Sequence, residues 1–202
     1  MSNEERFWQW FIDNQFEYLY LNDIDTQKKE FLLENFLNSL HEYCDHLYFQ
    51  ISNDPHSDIK EIIISAEGDT KYFEKVERLV NAAPFMKEWK VIAFKQPMGV
   101  SFVTEYEGLL LNPKEIWFLP LNNAKQPTMI GVRICIKDYT PQNENKFKNG
   151  MYQVLDHILG EKARATLIDY FDIDNLSKYD IKKDGLIELV ELPEYIKWKK
   201  AS

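Results

Sequence analysis

The hydrophobic period of this sequence changes near residue 47, and the change limits the folds that the chain can adopt. Before it, from Phe7 to Leu47, large apolar side chains recur every three or four positions, as on one face of an α-helix. After it, apolar and polar side chains alternate, as in a half-buried β-strand. A chain that carries both periods predicts an α+β fold, in which helices pack against a sheet.

Two helices are predicted before the change. Ser2 and Glu5 have the spacing of a capping box, which predicts a helix that runs to about residue 20. Residues 22–25 break this helix and supply the N-cap of a second one, of about 18 residues. Its apolar face holds Leu33, Phe36, Leu37, Leu40, Cys44 and Leu47. Residues 1–46 are therefore predicted to form an N-terminal helical hairpin that packs on the rest of the fold.

The rest of the sequence predicts strands interrupted by turns and helices. The strands are expected at 47–52, 59–66, 90–94, 102–111, 115–121, 129–137 and 186–191. A turn is expected at 53–58, and helical segments at 69–84, 147–159, 162–171 and 193–198. The predicted fold is α+β: a mixed, largely antiparallel sheet of five to seven strands, with helices on one face and the N-terminal helical hairpin. We predict a single domain over residues 1–202.

Charge and cysteine content exclude several classes of protein. The chain has 24 basic and 33 acidic residues, a net charge of −9, and no basic stripe of the kind that binds nucleic acid. Cys44 and Cys135 both sit in apolar patterns, which predicts buried free thiols in a reducing compartment. Residues 1–6 lack the features of a signal peptide, and no apolar run is long enough to span a membrane. We therefore expect a cytoplasmic protein without nucleic-acid or membrane partners.

One stretch of the chain has a recognisable order of short motifs. A strand, a turn of Ser-Ala-Glu-Gly-Asp, a helix that ends in Ala-Ala-Pro, a Trp and a second strand follow one another over Ile63–Phe94. With Leu155-Asp-His-Ile-Leu-Gly-Glu161, these motifs cover about a quarter of the chain. The pattern resembles one that recurs in bacterial conserved hypothetical proteins with a domain-of-unknown-function label. The resemblance implies a fold unit and no activity.

The metal-binding patterns in the sequence are incomplete. His41, Cys44 and Asp45 share a helix face, but a zinc site needs three or four ligands and no second ligand pair follows. Residues 169–174 hold a D-x-x-D-x-D cluster, but Lys183 would occupy the position of the bidentate Glu of an EF-hand loop. Helix caps and a solvated loop explain these acidic residues better. We predict no metal ligands.

The catalytic patterns are also incomplete. Ser101 follows Gly99 but lacks the second glycine of a nucleophile elbow, and no phosphate-binding loop is present. A cysteine in apolar surroundings has a raised pKa and is a poor nucleophile. The sequence therefore predicts neither catalytic residues nor a cofactor.

Four residues remain as candidate ligand-binding positions. Ser65, Glu67 and Asp69 lie where a strand turns into a helix, the place where open α/β sheets bind ligands. Arg133 lies in the middle of a strand between small neighbours, where it could receive an anion or pair with a carboxylate such as Glu105 or Glu107. The structural roles, capping by the acidic residues and ion pairing by Arg133, are the simpler alternatives.

Two functions are compatible with these residues. Surplus aromatic residues, an acidic surface and the lack of a catalytic set favour a non-catalytic module that binds a basic protein partner. The alternative is a small-molecule-binding protein or enzyme that uses the sheet face near Arg133 and the turn at 67–69. Exposed aromatic residues and an unprotected edge strand are also compatible with a homodimer.

Overall fold

The computed structural model of the chain describes residues 1–53, 59–122, 125–126 and 128–201. The chain forms two compact units, Met1–Lys95 and Gln96–Ser202. This division into units does not test the prediction of a single domain over residues 1–202, which stays a prediction. The predicted turn at 53–58 falls on residues 54–58, including His56, which lie outside the described residues.

The predicted fold class is confirmed. The described residues form six helices, a mixed and largely antiparallel set of strands, and an N-terminal pair of helices. The helices are α1 Asn3–Tyr18, α2 Thr26–Tyr43, α3 Phe73–Asn81, α4 Glu144–Leu159, α5 Glu161–Leu167 and α6 Leu192–Ala201. The strands are β1 Tyr48–Asn53, β2 Lys60–Ser65, β3 Trp89–Ala93, β4 Thr104–Tyr106, β5 Leu109–Leu111, β6 Trp117–Leu121, β7 Gly131–Ile136, β8 Tyr170–Asn175 and β9 Ile187–Glu188.

The expectation of one continuous sheet is wrong. In the described residues the strands form three sheets, with orders β1-β2-β3, β4-β5 and β8-β7-β6-β9. The sequence predicts individual strands from alternation, but strand partners depend on contacts between distant residues, which alternation does not specify.

Among the described residues, no helix has the length and apolar character needed to cross a membrane.

In the N-terminal unit, local capping begins each helix of the hairpin as predicted. The Oγ of Ser2 accepts the N–H of Glu5 at 3.1 Å, and Glu5 accepts the N–H of Ser2 at 2.7 Å. Asp25 accepts the N–H of Lys28 at 2.9 Å and so begins α2. These bonds satisfy backbone donors that the first turn of a helix leaves unpaired.

The first sheet supports the helices of this unit. β1 pairs antiparallel with β2, which pairs parallel with β3, and α3 connects β2 to β3 as a crossover. Phe49 lies opposite the fully buried Ile64, and its ring stacks on Phe36 of α2 with centroids 4.0 Å apart. The indole N–H of Trp8 in α1 donates to the carbonyl of Leu79 in α3 at 2.7 Å. The helical hairpin therefore contacts both the sheet and the crossover helix.

In the C-terminal unit, four strands carry helices on one face. β7 is parallel to β8 and antiparallel to β6, and its residues Val132, Ile134 and Ile136 lie in one buried cluster with α4 and α6. The opposite face of β7 holds Cys135, which packs with Leu176, Leu186 and partly buried neighbours. α4 ends at Gly160, whose φ of 80° is accessible to glycine at low cost.

The interpretation of residues 169–174 as helix caps and a solvated loop is wrong. Residues 170–175 form β8, which pairs in parallel register with β7 and places Asp172 beside Arg133. Aspartate has a low β-strand propensity, and the ion pair between the two strands offsets this by stabilising β8. The last strand, β9, is shorter than the predicted strand 186–191. Residues 189–191 instead form a 3₁₀ turn that leads into α6.

We predict that Phe36→Ala lowers the free energy of unfolding by about 3–5 kcal/mol, because Phe36 is fully buried and contacts five other rings. Phe31→Ala, on the same helix, is the matched control, because Phe31 is 60% exposed; we expect a change within about 0.5 kcal/mol. Urea denaturation followed by tryptophan fluorescence measures both. Equal shifts for the two variants would show that Phe36 is not a core residue.

Candidate functional site

The predicted turn residues of the N-terminal unit lie together at the carboxyl end of β2. Ser65 is fully buried, and its Oγ accepts the N–H of Glu67 at 2.9 Å. Glu67 and Gly68 both have positive φ values, 51° and 85°, which turn the chain sharply. Asp69 then accepts the N–H of Lys71 at 3.1 Å and begins the 3₁₀ turn that precedes α3. The predicted capping role of Asp69 is thus present in the structure.

Lys95 joins this turn from the end of the neighbouring parallel strand. Its Nζ donates to Glu67 Oε2 at 2.6 Å, and its side chain is only 16% exposed. The preceding residue, Phe94, has a φ of 65°, which is rare for a bulky side chain and stores backbone strain. Sequence reasoning missed Lys95, because its place beside Glu67 follows from the parallel pairing of β2 with β3.

Arg133 belongs to the C-terminal unit, and it makes a two-pronged ion pair there. Its Nε and Nη2 donate to the two carboxylate oxygens of Asp172 at 2.8 and 2.7 Å. The hydrogen bonds to Asp172 raise the pKa of Arg133 further above its ordinary value. The partner is therefore Asp172, on the adjacent strand, and the proposed pairing with Glu105 or Glu107 is wrong. This bidentate contact supports a structural role for Arg133.

The charged network continues from Arg133 along the same face of β8. Tyr179 donates to Asp174 at 2.8 Å, and Lys178 donates to the other oxygen of Asp174 at 2.6 Å. Burial acts to raise the pKa of Asp174, but the hydrogen bonds from Lys178 and Tyr179 outweigh it and lower the pKa. Asp174 therefore stays ionised and binds groups of its own unit.

A feature that the sequence did not predict is a cleft of about 460 Å³ between α1 and α2, on the helical hairpin. It runs along α1 from Asn3 to Glu17 and along α2 from Phe31 to Tyr43. Its aromatic lining consists of Phe7, Trp10, Tyr18, Phe31 and Tyr43. Trp10 is half-buried, and its ring contacts Phe36 at a centroid distance of 5.9 Å.

The polar lining of the cleft is rich in amides. It includes Asn3, Asn14, Asn35, Asn38 and Ser39, with Arg6, Glu17 and Glu42 among the charged groups. The amide of Asn14 donates to the carbonyl of Trp10 at 2.7 Å. Within the described part of the chain, the side chains of Asn3, Asn35 and Asn38 hydrogen-bond no other protein group, and Asn3 and Asn38 are exposed. These amides are available to hydrogen-bond a ligand.

Most of the net negative charge of the chain lies on the segment that carries the cleft. Residues 1–45 hold ten acidic and three basic residues, a net of −7 out of −9 for the whole chain. Phe16, Tyr20 and Phe31 are each more than half exposed on this segment. Burial, with the nearby charge of Glu17, raises the pKa of Tyr18 to about 12, so its hydroxyl stays neutral and donates to the carbonyl of Leu32.

A second cleft, of about 620 Å³, lies between α2 and β1. Its lining is mainly apolar and includes Leu33, Leu37 and Ile51. Asn53 and Lys60, which flank the undescribed residues 54–58, form part of its wall.

Among the described residues, no three His, Cys, Asp or Glu side chains are grouped so that they could hold a metal ion. A ring nitrogen of His41 lies 3.1 Å from the carbonyl of Leu47, inside its own unit. No family model, no curated protein and no solved structure matches the chain. The resemblance to bacterial proteins of unknown function therefore stays a prediction.

The residues of the cleft escaped the sequence analysis for a specific reason. Trp10 has the helical spacing of a core residue, and periodicity does not separate a ring that lies inside the core from one that lines a cleft beside it. The asparagines occupy polar positions that look solvated. The one signal in the sequence was the residue type, because asparagine is a weak helix former.

We predict that the two cysteines differ strongly in reactivity. Cys135 is fully buried, and burial raises the pKa of its thiol to about 12, so the thiolate is scarce at mildly alkaline pH. Cys44 was also predicted to be buried, but it is half-buried at the end of α2 and therefore reacts first. A disulfide exchange reagent should label Cys135 at least ~100-fold more slowly than Cys44.

The single variants Cys44→Ser and Cys135→Ser show which cysteine gives the fast and which the slow phase of labelling. Both thiols should react rapidly in denaturant. Fast labelling of Cys135 in the native protein would contradict its burial.

Proposed function

We propose that this protein is a non-catalytic interaction module that binds a basic protein partner through the cleft of its N-terminal helical hairpin. The observation that carries this proposal is the cleft itself: rings and unbonded amides line it, and the segment around it has a net charge of −7. Aromatic side chains in clefts supply much of the binding energy of protein interfaces. Acidic groups around such a cleft attract and orient a basic partner.

The exposed rings support a macromolecular partner. Phe16, Tyr20 and Phe31 are each more than half exposed on the helical hairpin, and Phe31 also lines the cleft, where a partner could cover its ring. The volume of the cleft lies within the range of small-molecule sites, but its lining is as polar as it is apolar, which suits a peptide better than a drug-like ligand.

The same proposal includes a location. Cys44 and Cys135 are both free thiols, and persistent free thiols suit a reducing compartment. We place the interaction in the cytoplasm.

We predict that the double variant Glu17→Lys/Glu42→Lys loses its basic partner, because it reverses the charge at both ends of the cleft. Tagged wild-type and variant protein, each used to capture partners from native cells, are compared by quantitative mass spectrometry. Recovery of the partner should fall at least ~10-fold, and increasing salt should weaken the wild-type complex.

The matched control is Glu30→Lys/Glu74→Lys, which makes the same change of charge at exposed positions outside the cleft lining. Equal losses in the two double variants would mean that net charge alone holds the partner and would contradict binding through the cleft.

The turn at the carboxyl ends of β2 and β3 supports a second candidate function, binding of a small molecule. Ser65, Glu67 and Lys95 meet there within a β2–α3–β3 unit, and the chain has strained φ values at Glu67 and Phe94. Such strain persists where a surrounding structure holds it, and ligand sites are frequent among these places.

For this candidate, purified protein from native cells should carry a small molecule in a one-to-one ratio. Lys95→Met should remove that molecule, whereas Arg133→Met should leave it bound, because Arg133 is engaged with Asp172. Metabolite mass spectrometry of the three proteins measures this. Recovery of such a molecule without any protein partner would overturn the interaction module as the main function.

A further inference from the structure

The length of the cleft limits what can fill it. The cleft follows α1 from Asn3 to Glu17, which corresponds to about 20 Å at the rise of an α-helix. An extended chain covers that distance with roughly six residues, whereas a helix would need about fourteen.

The amides of the cleft favour an extended chain over a helix. A helix satisfies its backbone N–H and C=O groups internally and presents only side chains to a groove. An extended segment presents an unpaired donor and acceptor at every residue, and these must find partners when they leave water. An asparagine amide offers both a donor and an acceptor. Asn3, Asn35 and Asn38 line the cleft with amides that bond no other group in the described residues.

The two acidic residues of the lining lie toward opposite ends of the cleft. The helices run antiparallel, because Tyr18 near the end of α1 bonds the carbonyl of Leu32, and Tyr43 at the end of α2 bonds Glu4. Glu17 therefore lies near the start of α2, and Glu42 near the start of α1. Trp10 lies between these ends, and Arg6 adds a donor for carbonyl oxygens.

We propose that the cleft binds an extended, basic peptide segment of roughly six residues. Asn3, Asn35 and Asn38 hydrogen-bond its backbone. An apolar side chain of the segment packs on the ring of Trp10, and basic side chains pair with Glu17 and Glu42. This inference rests on the proposed interaction with a basic partner and adds the conformation of the partner segment and the residues that recognise its backbone.

The probe is an acetylated and amidated fluorescent heptapeptide of alternating Lys and Leu, titrated with the full chain and followed by anisotropy at low salt. We expect binding, and we expect N-methylation of the Leu nitrogens to weaken it at least ~10-fold, because the methyl groups remove backbone donors and leave the charges in place. A longer peptide with Lys and Leu at helical spacing should bind more weakly than the alternating one.

The variant Asn35→Ala/Asn38→Ala should also weaken binding of the alternating peptide at least ~10-fold. Its matched control, Gln27→Ala/Asn81→Ala, removes exposed amides outside the cleft lining and should bind as the wild type does. Circular dichroism checks that each variant keeps its helices.

The outcomes separate this inference from the proposed function. Equal affinity for the plain and N-methylated peptides, or tighter binding of the helical peptide, overturns the extended conformation and leaves the basic partner in place. Unchanged affinity in the Asn35→Ala/Asn38→Ala variant overturns the role of the amides. If neither peptide binds and Glu17→Lys/Glu42→Lys still captures the same proteins as the wild type, both the inference and the proposed function are wrong.

Discussion

The ring of Phe36 lies between both helices of the hairpin and the first sheet, and the geometry of the N-terminal unit follows from that position. Phe7, Trp10, Phe11 and Tyr18 of α1 surround it at centroid distances of 5.6–5.9 Å, and Phe49 of β1 stacks on it at 4.0 Å. Edge-to-face ring pairs have preferred orientations, so they hold the two helices at a defined separation. The same packing sets the width of the cleft that Trp10 lines.

In the C-terminal unit, an ion pair between two neighbouring strands has a comparable role. β7 and β8 are parallel neighbours, and the bidentate pair of Arg133 and Asp172 joins them on the face opposite α4. Both side chains are about one-third exposed or less, so water screens the attraction only in part. The pair selects the register of β8, because a shift of one residue would place Asp172 on the apolar face.

The sequence was sufficient for features that depend on neighbouring residues. The caps at Ser2 and Asp25, the helical hairpin and the α+β class all follow from local spacing, and the structure contains them. The sequence was insufficient for β8, for the division into three sheets and for Lys95, because each depends on residues far apart in the chain. Of the candidate site residues, Ser65, Glu67 and Asp69 are adjacent as expected, whereas Arg133 has a partner that no sequence pattern indicated.

The asparagines of the cleft are the clearest conflict between local preference and the observed fold. Asparagine in a helix interior costs roughly 0.5–0.7 kcal/mol relative to alanine, and Asn14, Asn35 and Asn38 lie in the interiors of α1 and α2. Capping does not offset this cost, because Ser2 and Asp25 cap the two helices. Sequences that specify a fold violate local preferences mainly where function requires it. Under the function that we propose, this cost in helix stability is offset by the binding of a partner, because the same amides would then hydrogen-bond the partner segment.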